Sequence, residues 1–475
     1  MISMADVGCL LAAHGAEVTV VTTPAGAPLV RSRVEECRAG SAYHAAVAVI
    51  PFPTLEAGLP EGCERLDHVP YRDMVPRFFD ANARFGEAVA RYCRSDAPRR
   101  PSCVVAGTCN TWALGIARDL GVPCFVFHGF GAFALLCCEY LHKHRPHEGL
   151  ASSDQAFDVP VLPRAECRLA RRQLPLRFQP SFPVVGESRR REQRMFETAV
   201  DGIVVNSFEE LEHGSAARLA EATGKQVVPV GPVSLLRRHG YSSSVVSDEA
   251  TRCMAWLEGK KARSVLYVSF GSAGRMPPAQ LMELGAALVS CLWPVLWVIK
   301  GADSLPDDAA GWLRANTDAD GVADSQCLVV RGWAPQVAIL AHAAVGGFMT
   351  HCGWGSTLES VAAGVPMATW PFYAEQFLNE KLIVDVLGIG VSVGVTKPTE
   401  TARSRGSESN DDAGDVKAEV GREQVKWTLE RLMGGGAEAE ERRKKAQELK
   451  VKAELALQNG GSSYKNLEKL IRSCV

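Results

Sequence analysis

The sequence predicts an α/β protein built from two doubly wound domains. Three observations carry that expectation. The chain has 475 residues, too many for one hydrophobic core and enough for two domains of roughly 200 residues or more. Short apolar runs alternate with amphipathic stretches, the pattern of parallel strands joined by crossover helices. That alternation occurs twice, on either side of a stretch at 232–248 that holds a basic pair and a serine run and reads as linker.

In the first half, strands are expected at 17–23, 103–106, 124–127, 202–205 and 227–230. In the second half they are expected at 264–269, 294–299, 327–330, 345–348 and 366–369, with helical patterns such as 278–290 and 374–386 between them. A polar run rich in turn formers, 396–414, reads as a disordered surface loop. The resulting division is 1–231, the linker 232–248, a second domain 249–458, and a final helix within 459–475.

Composition excludes several function classes. Net charge is −2, so nothing electrostatic favours nucleic acid or an anionic membrane. The 15 cysteines are scattered without zinc-type spacing, which fits a reducing cytosol better than a disulfide framework. The start, MISMADVGCL, has no basic region and is interrupted by Asp6, so no signal peptide is expected. The most apolar stretch, 121–138, contains Pro123, His128, Gly129 and Gly131 and is short for a membrane span. A dinucleotide-binding reading fails for want of G-x-G-x-x-G after a first strand.

The chemistry concentrates in residues 333–376, WAPQVAILAHAAVGGFMTHCGWGSTLESVAAGVPMATWPFYAEQ. Trp333 follows a strand pattern, where a flat indole can stack on a base. His351-Cys-Gly-Trp-Gly-Ser356 follows another strand and opens a helix; backbone N–H groups at a helix start attract phosphate. Gly353 and Gly355 let a diphosphate approach the backbone, and His351 and Ser356 can donate to it. Ser356-x-x-Glu359 is also a capping-box pattern. Glu375 and Gln376 place an acid beside an amide, a pair able to grip neighbouring hydroxyls.

This stretch resembles the signature box of plant family-1 UDP-dependent secondary-product glycosyltransferases. W-A-P-Q, H-C-G-W, S-T-L-E-S, G-V-P and A-E-Q stand at that family's spacing, and Val204-Val-Asn-Ser-Phe-Glu-Glu-Leu-Glu212 is similar too. The resemblance implies a GT-B fold, two Rossmann-like domains facing a cleft, with the last helix returning to the N-terminal one. It implies a UDP-sugar donor as co-substrate, no cofactor and no metal, a small hydroxylated aromatic or terpenoid acceptor, and a cytoplasmic monomer. By the same resemblance Trp333 stacks on uracil and Ala334 and Gln336 meet its edge. His351, Gly353, Trp354, Gly355 and Ser356 surround the diphosphate, with Ser272 of the VLYVSFGS turn. Glu359 accepts from the ribose, and Glu375 and Gln376 read a hexose, with Gln favouring glucose. His128 falls on the acceptor side.

There are departures. The family carries Asn where this chain has Gly355, and one lost hydrogen bond to a charged group costs about 1.5–3 kcal/mol. The family's catalytic histidine ends its first strand, just before a segment like Met1-Ile-Ser-Met-Ala-Asp6, so the resemblance implies that this chain starts after that histidine and lacks that strand. The histidine's carboxylate partner corresponds to Gly107. No catalytic residue is therefore assigned.

Overall fold

The structure, a computed structural model, describes residues 2–38, 45–162, 165–179, 185–237, 248–271, 276–302, 305–317, 326–399 and 418–474. Most of the expected loop 396–414, from residue 400 on, and most of the expected linker, 238–247, lie outside the described residues. The chain divides into two compact units. One comprises Met1–Glu139, Ser181–Tyr241 and Leu455–Val475; the other comprises Tyr140–Pro180 and Ser242–Glu454. Residues 140–180 thus group with the second unit rather than with the rest of 1–231.

In chain order the strands are β1 (Val18–Thr22), β2 (Ala45–Val49), β3 (Val104–Gly107), β4 (Cys124–His128), β5 (Ala156–Leu162), β6 (Ala165–Ala170), β7 (Gly202–Val205), β8 (Gln226–Pro229), β9 (Val265–Ser269), β10 (Val295–Ile299), β11 (Cys327–Arg331), β12 (Val345–Thr350), β13 (Met367–Thr369) and β14 (Gly390–Ser392).

Among the described residues the first unit carries two parallel sheets instead of one: β1-β2, and β3-β4-β7-β8. Every residue of β4 and β7 is buried, whereas β1 and β3 are mostly half-buried edges. The helix Ile2–Ala13 serves both sheets. Its Val7 and Leu10 join Phe125, Phe127, Val204 and Val228 in one core, and its Ala5 and Cys9 join Val20, Val30, Val34 and Val47 in another. The final helix, Ser462–Ser473, contributes Leu467 and Leu470 to the first of these cores. Two bonds fix it there: Ser463 Oγ donates to the Gly231 carbonyl at 2.6 Å and Asn466 Nδ2 to that of Pro229 at 3.0 Å.

The second unit holds one parallel six-stranded sheet, ordered β11-β10-β9-β12-β13-β14, and the antiparallel hairpin β5-β6. The chain runs outward from β9 through β10 to β11, then returns to the other side of β9 as β12. The order therefore reverses between β9 and β12. In open α/β sheets ligands bind beyond the carboxyl ends of the strands at such a reversal. The helical expectation at 374–386 needs a correction: an α-helix spans Gln376–Lys381 and a π turn follows at Leu382–Val386.

Candidate donor site at the sheet reversal

The residues expected to bind a donor gather at the carboxyl ends of β9, β11, β12 and β13. Trp333 follows β11 and remains 62 % exposed, so core packing does not account for it. Ala334 beside it is buried. Gln336 opens the short helix Gln336–Ala341 and ties the site together. Its Nε2 donates to Ser356 Oγ at 2.9 Å and to Glu359 Oε2 at 2.7 Å, while its Oε1 accepts from the Tyr267 hydroxyl at 3.3 Å. Three segments far apart in sequence are thereby locked around one amide.

After β12 the backbone turns through Cys352, whose φ of 62° is left-handed although it is not glycine. Asn379 Nδ2 holds the Cys352 carbonyl at 2.8 Å. Strain of this kind persists only where the surroundings impose it. The turn sets His351 against glycine: a Cβ on Gly271 or Gly353 would lie 2.6 or 2.4 Å from its ring. Burial lowers the His351 imidazole to about 4, so at neutral pH it is an uncharged donor–acceptor. Its Nδ1 is buried without a hydrogen-bond partner.

The helix Trp354–Ala363 begins directly after Gly353, with no side chain capping its N-terminus. Ser356 is therefore inside the first turn rather than at the cap, and the capping-box reading of Ser356 and Glu359 does not hold. Both side chains turn to Gln336 instead. Gly355 is exposed, and a Cβ there would meet nothing within 4 Å.

Glu375 and Gln376 are both buried, 5 % and 4 % exposed. Burial pushes the Glu375 carboxyl up to about 7, against stabilising hydrogen bonds from backbone N–H groups and the Asn379 amide and the attraction of Arg177. Gln376 uses its carbonyl locally: Oε1 accepts from Phe372 N at 2.8 Å and Tyr373 N at 3.0 Å. Ser272 lies outside the described residues. Tyr267, Asn379 and Arg177 belong to the site but were not expected from the sequence. Tyr267 sits in an unbroken apolar strand and gives no signal. Asn379, one helical turn beyond Glu375, could have been found from that spacing.

The acceptor-side candidate, His128, is in the first unit. It ends β4, is buried, and places Nε2 3.8 Å from Glu197 Oε1. Gly107 ends the neighbouring β3, and a Cβ there meets open space.

Comparison with known proteins agrees with this geometry. Residues 242–402 match the family described as UDP-glucoronosyl and UDP-glucosyl transferase. UDP-glycosyltransferase 73D1 of Arabidopsis thaliana is 38 % identical over 490 residues, covering 99 % of this chain and 94 % of its own length. UDP-glycosyltransferase 73C11 of Barbarea vulgaris is 36 % identical, covering 99 % and 93 %. Among solved structures, Glycyrrhiza uralensis UGT73P12 complexed with glycyrrhetinic acid 3-O-monoglucuronide superposes with a TM-score of 0.86 at 32 % identity, covering 100 % of this chain and 92 % of that one. Medicago truncatula UGT71G1 complexed with UDP-glucose shares the fold, with a TM-score of 0.75 at 23 % identity and coverage of 100 % and 95 %.

Proposed function

Because this chain belongs to the plant family-1 UDP-glycosyltransferases, we propose that it transfers glucose from UDP-glucose to a hydroxyl of a small aromatic or terpenoid acceptor, inverting the anomeric carbon. The observation that carries the reading is the Gln336–Ser356–Glu359 cluster, in the same stretch as exposed Trp333 and half-buried His351. In this reading Trp333 stacks on the base and the start of the helix Trp354–Ala363 receives the diphosphate. Neutral His351 donates to a phosphate oxygen, Glu359 accepts from the ribose, and Glu375 accepts from the sugar. As the acceptor oxygen bonds to the anomeric carbon and its proton passes to solvent water, the bond to UDP breaks, and donors aimed at the diphosphate stabilise the charge that develops there. UDP-sugar is a co-substrate, no cofactor takes part, and the enzyme works as a cytoplasmic monomer.

A second reading, a nucleotide-sugar-binding chain with impaired turnover, is favoured by Gly107 at the position of the carboxylate partner. Loss of general-base chemistry lowers rates by about 10²–10⁴-fold. One experiment separates the two. Monodisperse protein is titrated with UDP calorimetrically, then incubated with UDP-glucose and a panel of phenols and terpenoids, with products read by mass spectrometry. Binding and glucoside formation are expected. Binding with no glucoside across the panel replaces the first reading with the second, and failure to bind UDP removes both.

A further inference from the structure

We propose that the first unit carries two reversible disulfide sites, Cys9–Cys37 and Cys103–Cys474, which a soluble disulfide such as oxidised glutathione closes. In each pair the two thiols perturb each other's titration, Cys9 and Cys103 being raised and Cys37 and Cys474 lowered, and all four cysteines are free thiols in this structure. Each pair also shares one apolar cluster. Cys9 and Cys37 pack together with Val20, Val30 and Val34. Cys103 and Cys474 pack on the cluster that includes Leu467 and Leu470.

The segments that bear the thiols are held in place by other bonds. Cys9 lies on the helix Ile2–Ala13 and Cys37 on the helix Ala27–Arg38. The buried ion pair Arg33–Asp6, 2.6 Å long, clamps those helices together. Cys103 immediately precedes β3, and Cys474 ends the final helix, which Ser463 and Asn466 anchor. Disulfides need close, fixed backbones, and both pairs have secondary structure on each side.

The exchange balances without a further reactant. Cys37 and Cys474 are half-buried and are the attacking members. The neighbouring thiol holds each below the usual thiol value, with burial opposing. The thiolate attacks one sulfur of oxidised glutathione, and one glutathione leaves as thiolate. Cys9 or Cys103, deprotonated, then attacks the mixed disulfide and expels the second glutathione. Two protein thiols lose two electrons and two protons, and one oxidised glutathione becomes two reduced ones. A bond between Cys103 and Cys474 fastens the final helix to β3 and closes a long loop from residue 103 to residue 474, the kind of cross-link that most restricts an unfolded chain.

The test uses the full chain. One sample is incubated with oxidised glutathione and one with dithiothreitol. Both are alkylated under denaturing conditions, digested without reduction and mapped by mass spectrometry. The expected result is two cross-linked peptide pairs, 9–37 and 103–474, with alkylation of these four cysteines reduced by about tenfold, all reversed by dithiothreitol. Exposed Cys109 reports single-thiol modification in the same digest. Cys474→Ser should abolish only the 103–474 link and Cys37→Ser only the 9–37 link. Alkylation equal to the reduced sample, or glutathione adducts without either cross-link, overturns the proposal. The wild-type map decides even if a variant does not fold.

Discussion

Trp333 is the clearest case in which one side chain separates binding from folding. Its indole is largely exposed, so its removal should cost little stability, within about 0.5 kcal/mol as for ordinary surface changes. Base stacking is worth about 1–3 kcal/mol. Trp333→Ala is therefore expected to weaken UDP binding by about tenfold to a hundredfold with the melting temperature held, read by calorimetry and thermal unfolding. Gly355 makes the opposite case. Its position is open, and an amide there adds a donor at the helix start. Gly355→Asn should tighten UDP binding by about tenfold or more; unchanged affinity would show that no phosphate comes within reach. Both residues were legible in the sequence because they lie in one short stretch of strand ends and helix starts. Tyr267 was not: it reaches Gln336 only because β9 lies beside β12, a relation that exists in the folded sheet and not in local sequence. At Gln376 the sequence shows an amide suited to a sugar hydroxyl but not the tight turn through which its Oε1 holds the Phe372 and Tyr373 amides.

At the level of elements, the β9–β12 contact decides the donor site. The pairing contains an irregularity between Val345 and Gly347, and Gly346 sits in it. A Cβ on Gly346 would lie 2.2 Å from the Arg263 carbonyl oxygen, a backbone atom that cannot step aside. Gly346→Ala is expected to destabilise by about 1–3 kcal/mol, the ordinary cost of overpacking, and to lower the denaturant midpoint. Wild-type stability in that variant would mean that the strand slides freely. The longer strands were readable as apolar runs. Those not anticipated have physical excuses: β2 is alanine-rich, β14 is three residues long, and β5 carries Pro160 in its interior, a residue that reads against a strand. The π turn at Leu382–Val386 likewise leaves no mark in a pattern that reads as continuous helix.

Across the whole molecule, buried charge sets the response to pH. Burial pushes Glu375 and Glu380 from 4.5 up to about 7, so between those values the folded state holds protons that the unfolded chain has released. Their contribution to stability is present below about 4.5 and lost as pH rises through 7. His351 acts with the opposite sign: lowered from 6.5 to about 4, it costs stability as pH falls through that window. Two carboxylates outweigh one imidazole, and Glu209 and Glu212, also raised by burial, add to the same side. The urea midpoint is expected to be higher at pH 6 than at pH 8, with Glu380→Gln flattening the difference; a midpoint that rises with pH would contradict this assignment. The split sheet of the first unit has a separate consequence, for solvent deuterium. Along a parallel strand successive amides point to alternate neighbours. In β4 and β7 both neighbours are present, whereas β1 and β3 each have one. Deuterium uptake in β1 and β3 should therefore alternate residue by residue, one amide slow and the next fast, while β4 and β7 stay uniformly slow. Where the sheet is interrupted would then be visible as a rhythm in time, read at single-amide resolution.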